Sequence, residues 1–230
     1  MTRNMKMQLC RWHGSARWCV LTLLCLGCSV AFARHHYQAD AQDGVPGQFD
    51  YYLMSLSWSP TYCLTHQYDR AQCAGKGYGF VLHGLWPQYE SGGYPHNCAD
   101  SPLTADAEAI GETLYPSPKL VQHEWAQHGT CSGMDAVAYF HTADRATAAV
   151  RIPAVFEAPL TTLVMSGDEI ASAFRAANPT LPEDGLTVAC SHGQISEVRI
   201  CLTRALTVRS CGRGVRSSCP LAPVRIRSTR

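Results

Sequence analysis

At residues 123–131 the chain reads HEWAQHGTC, which brings an acid, two imidazoles and an amide into one short strip. On a helix, Glu124 and His128 are four residues apart and share a face. A carboxylate in that position would favour the protonated form of His128 and help to orient its ring. His123 and Gln127 form a second pair with the same spacing. The strip therefore predicts acid–base chemistry near the end of a helix.

The same stretch raises the alternative of a zinc-protease helix, whose motif is H-E-x-x-H. That motif places its second histidine four positions after the first, so that both bind one ion. Here position 127 is glutamine, and His128 follows His123 by five positions. Five residues turn about 140° around a helix. We therefore expect the two rings to diverge, and no metal to be bound.

A second histidine lies in the stretch HGLWP at residues 83–87. His83 is expected where a short strand, residues 78–82, comes to its end. Strands and helices do not alternate strictly along the chain, and this order favours an α+β fold over a doubly wound sheet. The other predicted strands are 51–58, 186–190 and 195–202, and the predicted helices are 104–114, 119–128 with Gly129 as its C-terminal stop, and 168–177.

The first 33 residues have the pattern of a secretory signal peptide: a basic start, an apolar run at 18–32, and a small-x-small cleavage signal, AFA, before Arg34. A membrane anchor is the alternative, although about sixteen uncharged residues are short for a span of roughly 20. Lipidation at Cys28 is another. The predicted organisation is a signal peptide at 1–33, a flexible segment at 34–48 and one domain at 49–230, with no membrane association after cleavage.

Removal of such a leader changes the cysteine count and the charge. Four of the twelve cysteines leave, and an even set of eight in an exported protein predicts four disulfides among 105 possible pairings. The net charge moves from +1 to about −3, because four of the 19 basic residues lie in the leader and none of the 18 acids does. A nucleic-acid enzyme needs only a local basic surface, and eight arginines follow Glu197.

Together, the stretches at 83–87 and 123–131 resemble the two active-site segments of the ribonuclease T2 family. Residues 56–63 resemble the first core strand and turn of that family, and residues 197–201 resemble its penultimate strand. The resemblance covers about residues 48–220. It implies an α+β domain whose central, mainly antiparallel sheet is flanked by helices. It also implies a monomeric endoribonuclease, secreted or periplasmic, that acts on RNA without a cofactor.

The resemblance also implies a role for each site residue. His128 takes the proton of the RNA 2′-hydroxyl and His83 protonates the departing 5′ oxygen, giving a 2′,3′-cyclic phosphate and then a 3′-phosphate. Glu124 steadies the charged intermediate, and His123 binds the phosphate. Trp86 stacks on a base, which discriminates poorly between bases. DNA lacks the 2′-hydroxyl nucleophile, so we expect no cleavage of DNA.

Gln127 departs from the family pattern, which usually has a lysine there. Hydrogen bonds to charged groups contribute roughly 1.5–3 kcal/mol and neutral ones about 0.5–1.5 kcal/mol. Either the enzyme is slower than its relatives, or another cation substitutes. The alternative hypothesis is a secreted member with impaired catalysis that binds RNA or signals. His83, Glu124 and His128 argue against that alternative, and Gln127 is the only residue in its favour.

A disulfide pairing follows from the resemblance alone, since spacing does not select one. The implied pairs are Cys63–Cys73, Cys98–Cys131, Cys190–Cys219 and Cys201–Cys211. The second pair would tie the end of the catalytic helix to the segment that follows His83.

Overall fold

The structure, a computed structural model, describes residues 41–230; the predicted signal peptide lies outside the described residues. Within this part, six strands form one mixed, mainly antiparallel sheet in the order β3-β2-β7-β8-β5, with β6 paired to β7. The strands are β1 (Ala41–Asp43), β2 (Tyr51–Trp58), β3 (Phe80–Gln88), β4 (Tyr94–His96), β5 (Leu163–Met165), β6 (Leu186–Ser191), β7 (Gln194–Leu202) and β8 (Val224–Ile226). Helices flank the sheet, so the α+β prediction is confirmed.

Six α-helices are described, and most begin at a residue whose side chain can cap them. Thr104 and Asp135 accept backbone hydrogen bonds at the starts of α3 and α5. The helices are α1 (Ser59–Tyr62), α2 (Arg70–Cys73), α3 (Ala105–Leu114), α4 (Pro118–Gln127), α5 (Ala136–Ala148) and α6 (Gly167–Ala177), with short 3-10 helices at Gly129–Ser132 and Ala154–Phe156. No helix described in residues 41–230 is long and apolar enough to cross a membrane.

Strand β2 divides the molecule into two sides. Its even-numbered residues, among them Met54 and Leu56, are buried in the main core beneath the helices. Its odd-numbered residues point to the other face, where Tyr51 and Leu53 pack with Cys201 in a smaller cluster. This alternation follows from the period of two in a strand. The second face is the one that carries the candidate site.

Helix α5, for which no helix is predicted, fastens the helical layer to the sheet. Tyr139 and Phe140 are fully buried on its inner face, and the Tyr139 hydroxyl donates a 2.9 Å hydrogen bond to the carbonyl of Leu85 on β3. This hydrogen bond fixes the position of β3 relative to helix α5.

Four disulfides connect the loops, in the same pairs that the resemblance implies: Cys63–Cys73, Cys98–Cys131, Cys190–Cys219 and Cys201–Cys211. Near the Cys98–Cys131 pair, β1 runs parallel to β4, and the amide of Gly47 donates to the carbonyl of Cys131. In residues 41–48, part of the segment expected to be flexible, the backbone is hydrogen-bonded to the domain at β1 and at Gly47.

Candidate active site

His83 lies inside β3, and the prediction that the strand ends before it is wrong. Strand β3 is an edge strand and continues through Gly84 to Pro87, because an edge strand tolerates a proline that lacks an N–H. The pairing with β2 skips His83, since Ser55 opposes Gly84 and Leu56 opposes Leu82. Such a bulge re-aims a side chain.

The bulge has a direct consequence for the site. His83 and Trp86 are three residues apart, which in a regular strand would put them on opposite faces. The extra residue brings both to the same face, where their ring centroids are 5.1 Å apart and nearly perpendicular.

Glu197 on β7 holds the His83 ring from two strands away. Nδ1 of His83 donates a 2.6 Å hydrogen bond to Oε1 of Glu197, across the short side chains of Ser55 and Ser57 on β2. Arg199 bonds the other oxygen of Glu197. Burial favours the neutral form of His83, but the hydrogen bond and charge of Glu197 outweigh it, so the pKa of His83 is raised.

Glu197 itself is ionised. Burial opposes the charge, but the contacts with His83 and Arg199 lower the pKa of Glu197 to about 2. Because Nδ1 of His83 is occupied, Nε2 is the nitrogen that faces outward. The raised pKa favours the protonated imidazolium, in which Nε2 carries a proton.

Glu124, on α4, has the opposite protonation state. Burial raises its pKa to about 8, although the His83 charge and a hydrogen bond from Trp86 act against the shift. Trp86 Nε1 donates to Oε2 over 2.7 Å, while Oε1 has no partner among the described residues. A Cβ at Gly84 would collide with both Glu124 and Trp86. Only glycine at position 84 leaves room for Trp86 of β3 and Glu124 of α4 to meet here.

His128 follows α4 rather than continuing it. Its backbone angles, φ −127° and ψ −42°, leave the helical region, and the chain enters the 3-10 helix at Gly129. The predictions that the helix includes His128, and that Gly129 stops it, are therefore wrong. The ring lies 5.3 Å from Trp86 and 6.0 Å from Tyr94 between centroids.

The expected stabilisation of protonated His128 by Glu124 is also wrong. Burial, followed by the neighbouring histidines His123, His83 and His96, lowers the pKa of His128 to about 3. Glu124 is itself protonated at neutral pH, so it supplies no negative charge. His128 is therefore a neutral imidazole, able to accept a proton.

His123 and His128 converge instead of diverging, contrary to the expectation from helical geometry. Their ring centroids are 6.3 Å apart, because His128 has left the helix. Ligand atoms of His123, Glu124 and His128 lie within 4.8 Å of one another, close enough for a cation to bridge them. Burial and the nearby His83 lower the pKa of His123. The trio therefore provides the donor atoms that a bound cation would need.

Gln127 is partly exposed and is turned towards a loop. Its side-chain amide donates a 2.6 Å hydrogen bond to Oδ1 of Asn97. Its backbone carbonyl accepts a hydrogen bond from the backbone N–H of Asn97. Asn97 itself has a positive φ of 48°. The side chain at 127 thus braces this loop at the end of α4.

Glu197 and Arg199 were missed as site residues by the reasoning from sequence. The spacing Glu-x-Arg on a strand does indicate that both side chains share a face. It cannot indicate that His83 lies on that face, because the bulge leaves no mark in the sequence.

Comparisons with known proteins assign the chain to a family. The ribonuclease T2 family model matches residues 49–211, and the chain belongs to the ribonuclease T2 family. It is 53% identical over 91 residues to a ribonuclease of Aeromonas hydrophila, covering 40% of this chain and 41% of that protein. It is 27% identical over 186 residues to ribonuclease DdI of Dictyostelium discoideum, covering 72% and 79%.

Solved structures share the fold. The RNase-related protein from Calystegia sepium has a TM-score of 0.65 at 23% identity, covering 79% of this chain and 98% of that one. A variant of RNase MC1 in complex with 5′-UMP has a TM-score of 0.61 at 25% identity, covering 75% and 96%. RNase MC1 comes from bitter gourd seeds. The chain spans about half the length of several curated relatives, between 41% and 55%.

Proposed function

We propose that the protein is an endoribonuclease that cleaves single-stranded RNA with two histidines and no metal. The observation that carries this proposal is that His83 and His128 both lie beside Trp86, with ring centroids 5.1 Å and 5.3 Å from it. An acid and a base must be present together for RNA to be cleaved through its own 2′-hydroxyl. The pKa of His83 is raised and that of His128 is lowered, so both forms coexist over a wide pH range.

In the proposed first step, the 2′ oxygen attacks the adjacent phosphorus while neutral His128 takes its proton. The bond from phosphorus to the 5′ oxygen breaks, and His83 gives that oxygen its proton from Nε2. The products are a 2′,3′-cyclic phosphate and a free 5′-hydroxyl. In the second step water attacks the cyclic phosphate, His83 takes the water proton and His128 returns its own, leaving a 3′-phosphate.

A base with a pKa of about 3 is weak in the free protein. The substrate corrects this, because a phosphate anion beside His128 raises its pKa when RNA is bound. The low value in the free protein keeps His128 unprotonated until then.

Glu124 acts in this proposal as a neutral donor. Its proton is available on Oε1, since Oε2 accepts from Trp86. A protonated carboxyl can donate to a phosphate oxygen without like-charge repulsion, and that bond strengthens as negative charge grows in the transition state. His123 is proposed to bind the same phosphate from the exposed side. Trp86 is proposed to contact the base that precedes the cleaved bond.

Four disulfides are typical of an oxidising compartment. We therefore propose a secreted or periplasmic protein whose ordered domain, residues 49–230, acts as a monomer after removal of the 1–33 signal peptide.

The test is incubation with total RNA, and separately with DNA, in the presence of EDTA. We expect RNA to be degraded to oligonucleotides with cyclic phosphate ends, seen by mass spectrometry, and DNA to remain intact. Loss of cleavage in EDTA, restored by a divalent cation, would instead favour a metal held by His123, Glu124 and His128. Binding of RNA with no cleavage under any condition would favour the catalytically impaired alternative.

A further inference from the structure

We infer a second downstream nucleotide site, a stacking platform made by Tyr62, His66 and Tyr68. The inference rests on the proposed ribonuclease function, and concerns where a longer RNA strand continues after the cleaved bond. Nothing in the catalytic geometry uses these three rings, and none belongs to the two active-site stretches.

The platform borders a large cavity that also borders His83. The cavity has a volume of about 1100 Å³, and its lining includes His83 and His123 as well as Tyr62, His66 and Tyr68. Pockets for single drug-sized ligands measure roughly 300–1,000 Å³. This cavity therefore has room for more than the nucleotide next to the cleaved bond.

The polarity of the strand in the cavity follows from which histidine lines it. His83 borders the cavity, whereas His128 and Trp86 do not. His83 is the proposed donor to the 5′ oxygen of the leaving nucleotide. The cavity accordingly extends on the downstream side, and the platform receives the second nucleotide after the cleaved bond.

The rings are already arranged for stacking. Tyr62 and His66 are parallel, with centroids 4.1 Å apart and an angle of 4° between their planes. Tyr68 is 76% exposed and lies 5.9 Å from His66. Aromatic rings of this kind bind successive bases of a single strand with little sequence preference.

Local bonds hold the platform in place before RNA arrives. The Tyr62 hydroxyl donates to Asp69, Nδ1 of His66 lies 3.0 Å from the Tyr62 carbonyl oxygen, and the Cys63–Cys73 disulfide closes the loop. A pre-ordered site loses less entropy on binding.

Two cations complete the chemistry. Arg70 and Lys119 both line the same cavity, and neither is in a salt bridge identified among the described residues. They can neutralise phosphates of the strand, which is the usual source of affinity for nucleic acid. The carboxylate of Asp69 accepts hydrogen bonds from the Tyr62 hydroxyl and from the backbone N–H of Gln72.

The experiment uses three short substrates, each with a single ribonucleotide so that only one bond can be cut. One is a dinucleotide, one adds a deoxynucleotide downstream, and one adds it upstream. We expect the downstream addition to raise kcat/KM by about tenfold, a stacking-sized gain. The upstream addition has the same length and charge, so it controls for both.

Variants locate the gain. In Tyr62→Ala and Tyr68→Ala, the ratio of kcat/KM between the downstream trinucleotide and the dinucleotide should fall at least about fivefold. Tyr62→Phe loses the hydroxyl bond to Asp69 but keeps the ring, the stacking on His66 and the Cys63–Cys73 disulfide, so it should keep the ratio. Tyr78→Ala removes another exposed tyrosine, 39% accessible and outside the cavity lining, and should also keep it. A ratio cancels any loss of folded protein.

The outcomes separate this inference from the proposed function. If wild type cuts all three substrates equally well, or if the alanine variants keep the gain, the platform is a structural ring stack only and the inference is overturned. If wild type cuts none, binding of an uncleavable 2′-O-methyl trinucleotide, followed by fluorescence anisotropy, still decides. Weaker binding in Tyr68→Ala but not in Tyr78→Ala would support the platform, and equal binding would reject it.

Discussion

The candidate site has one histidine on its sheet side and one on its helix side, and their surroundings shift the two pKa values in opposite directions. On the sheet side, His83 is held by an ionised carboxylate, Glu197, which raises the pKa of the ring. On the helix side, His128 is surrounded by other histidines and by a carboxyl that is protonated, so burial lowers its pKa to about 3. We infer that the neighbouring groups, and not the histidines themselves, determine which ring takes the proposed role of acid and which that of base.

The two buried glutamates show the same contrast. Glu197 meets His83 and Arg199, and its pKa falls to about 2. Glu124 meets one indole N–H and little else, and burial raises its pKa to about 8. A pair of titratable groups driven apart in this way is the usual mark of an acid–base site.

Removal of either histidine should have the largest effect. His83→Ala and His128→Ala should each reduce kcat for a dinucleotide by at least about a hundredfold, because general acid–base catalysis contributes roughly 10²–10⁴. His141→Ala, an exposed histidine of α5, is the matched control and should retain full activity. Near-normal turnover in either site variant would show that the two histidines are not both needed for cleavage.

Glu197→Gln should weaken only the proposed role of His83, the histidine on the sheet side. Without the negative charge the pKa of His83 falls, so less of the acid is protonated at neutral pH. We expect about a tenfold loss of kcat/KM at pH 7, with the alkaline fall of activity moved to lower pH. Glu90→Gln removes the carboxylate of another arginine pair, with Arg209 on the surface. That variant should leave the pH–rate profile unchanged.

A parallel shift in both variants, or none in Glu197→Gln, would mean that Glu197 does not tune His83. A loss of rate without a shift of the alkaline limb would assign Glu197 a purely structural role.

The smallest effect is expected at Gln127. Gln127→Lys adds a cation near a growing negative charge, which helps the transition state more than the substrate. Because the bond to Asn97 turns this side chain towards the loop, we expect a gain of only about three- to tenfold. Gln127→Met removes the bond without adding charge and serves as the control. A clear fall in rate with lysine would show that the phosphate site depends on the amide.

Local signals predicted much of the fold. Alternation along 51–58 and the stop at residues 115–118 correspond closely to β2 and α3. Helix α5 had a usable signal as well, since Asp135 precedes apolar residues at helical spacing.

The errors in the predicted elements concentrate at the two proposed catalytic histidines, and share one cause. At His83 a bulge, and at His128 a departure from the helix, interrupt the regular element. Periodicity assumes a regular element, so it failed at both. The resemblance supplied the residues of the site, and only the folded geometry supplied their protonation and the partner Glu197.

The most direct test of the central claim is an NMR titration of the imidazole nitrogens in the free protein, with each histidine assigned by substitution. We expect that His83 keeps its proton above pH 6.5, the ordinary histidine pKa, while His128 stays neutral down to about pH 4. A protonated His128 together with a neutral His83 at pH 6 would contradict the account, since acid and base would then be exchanged.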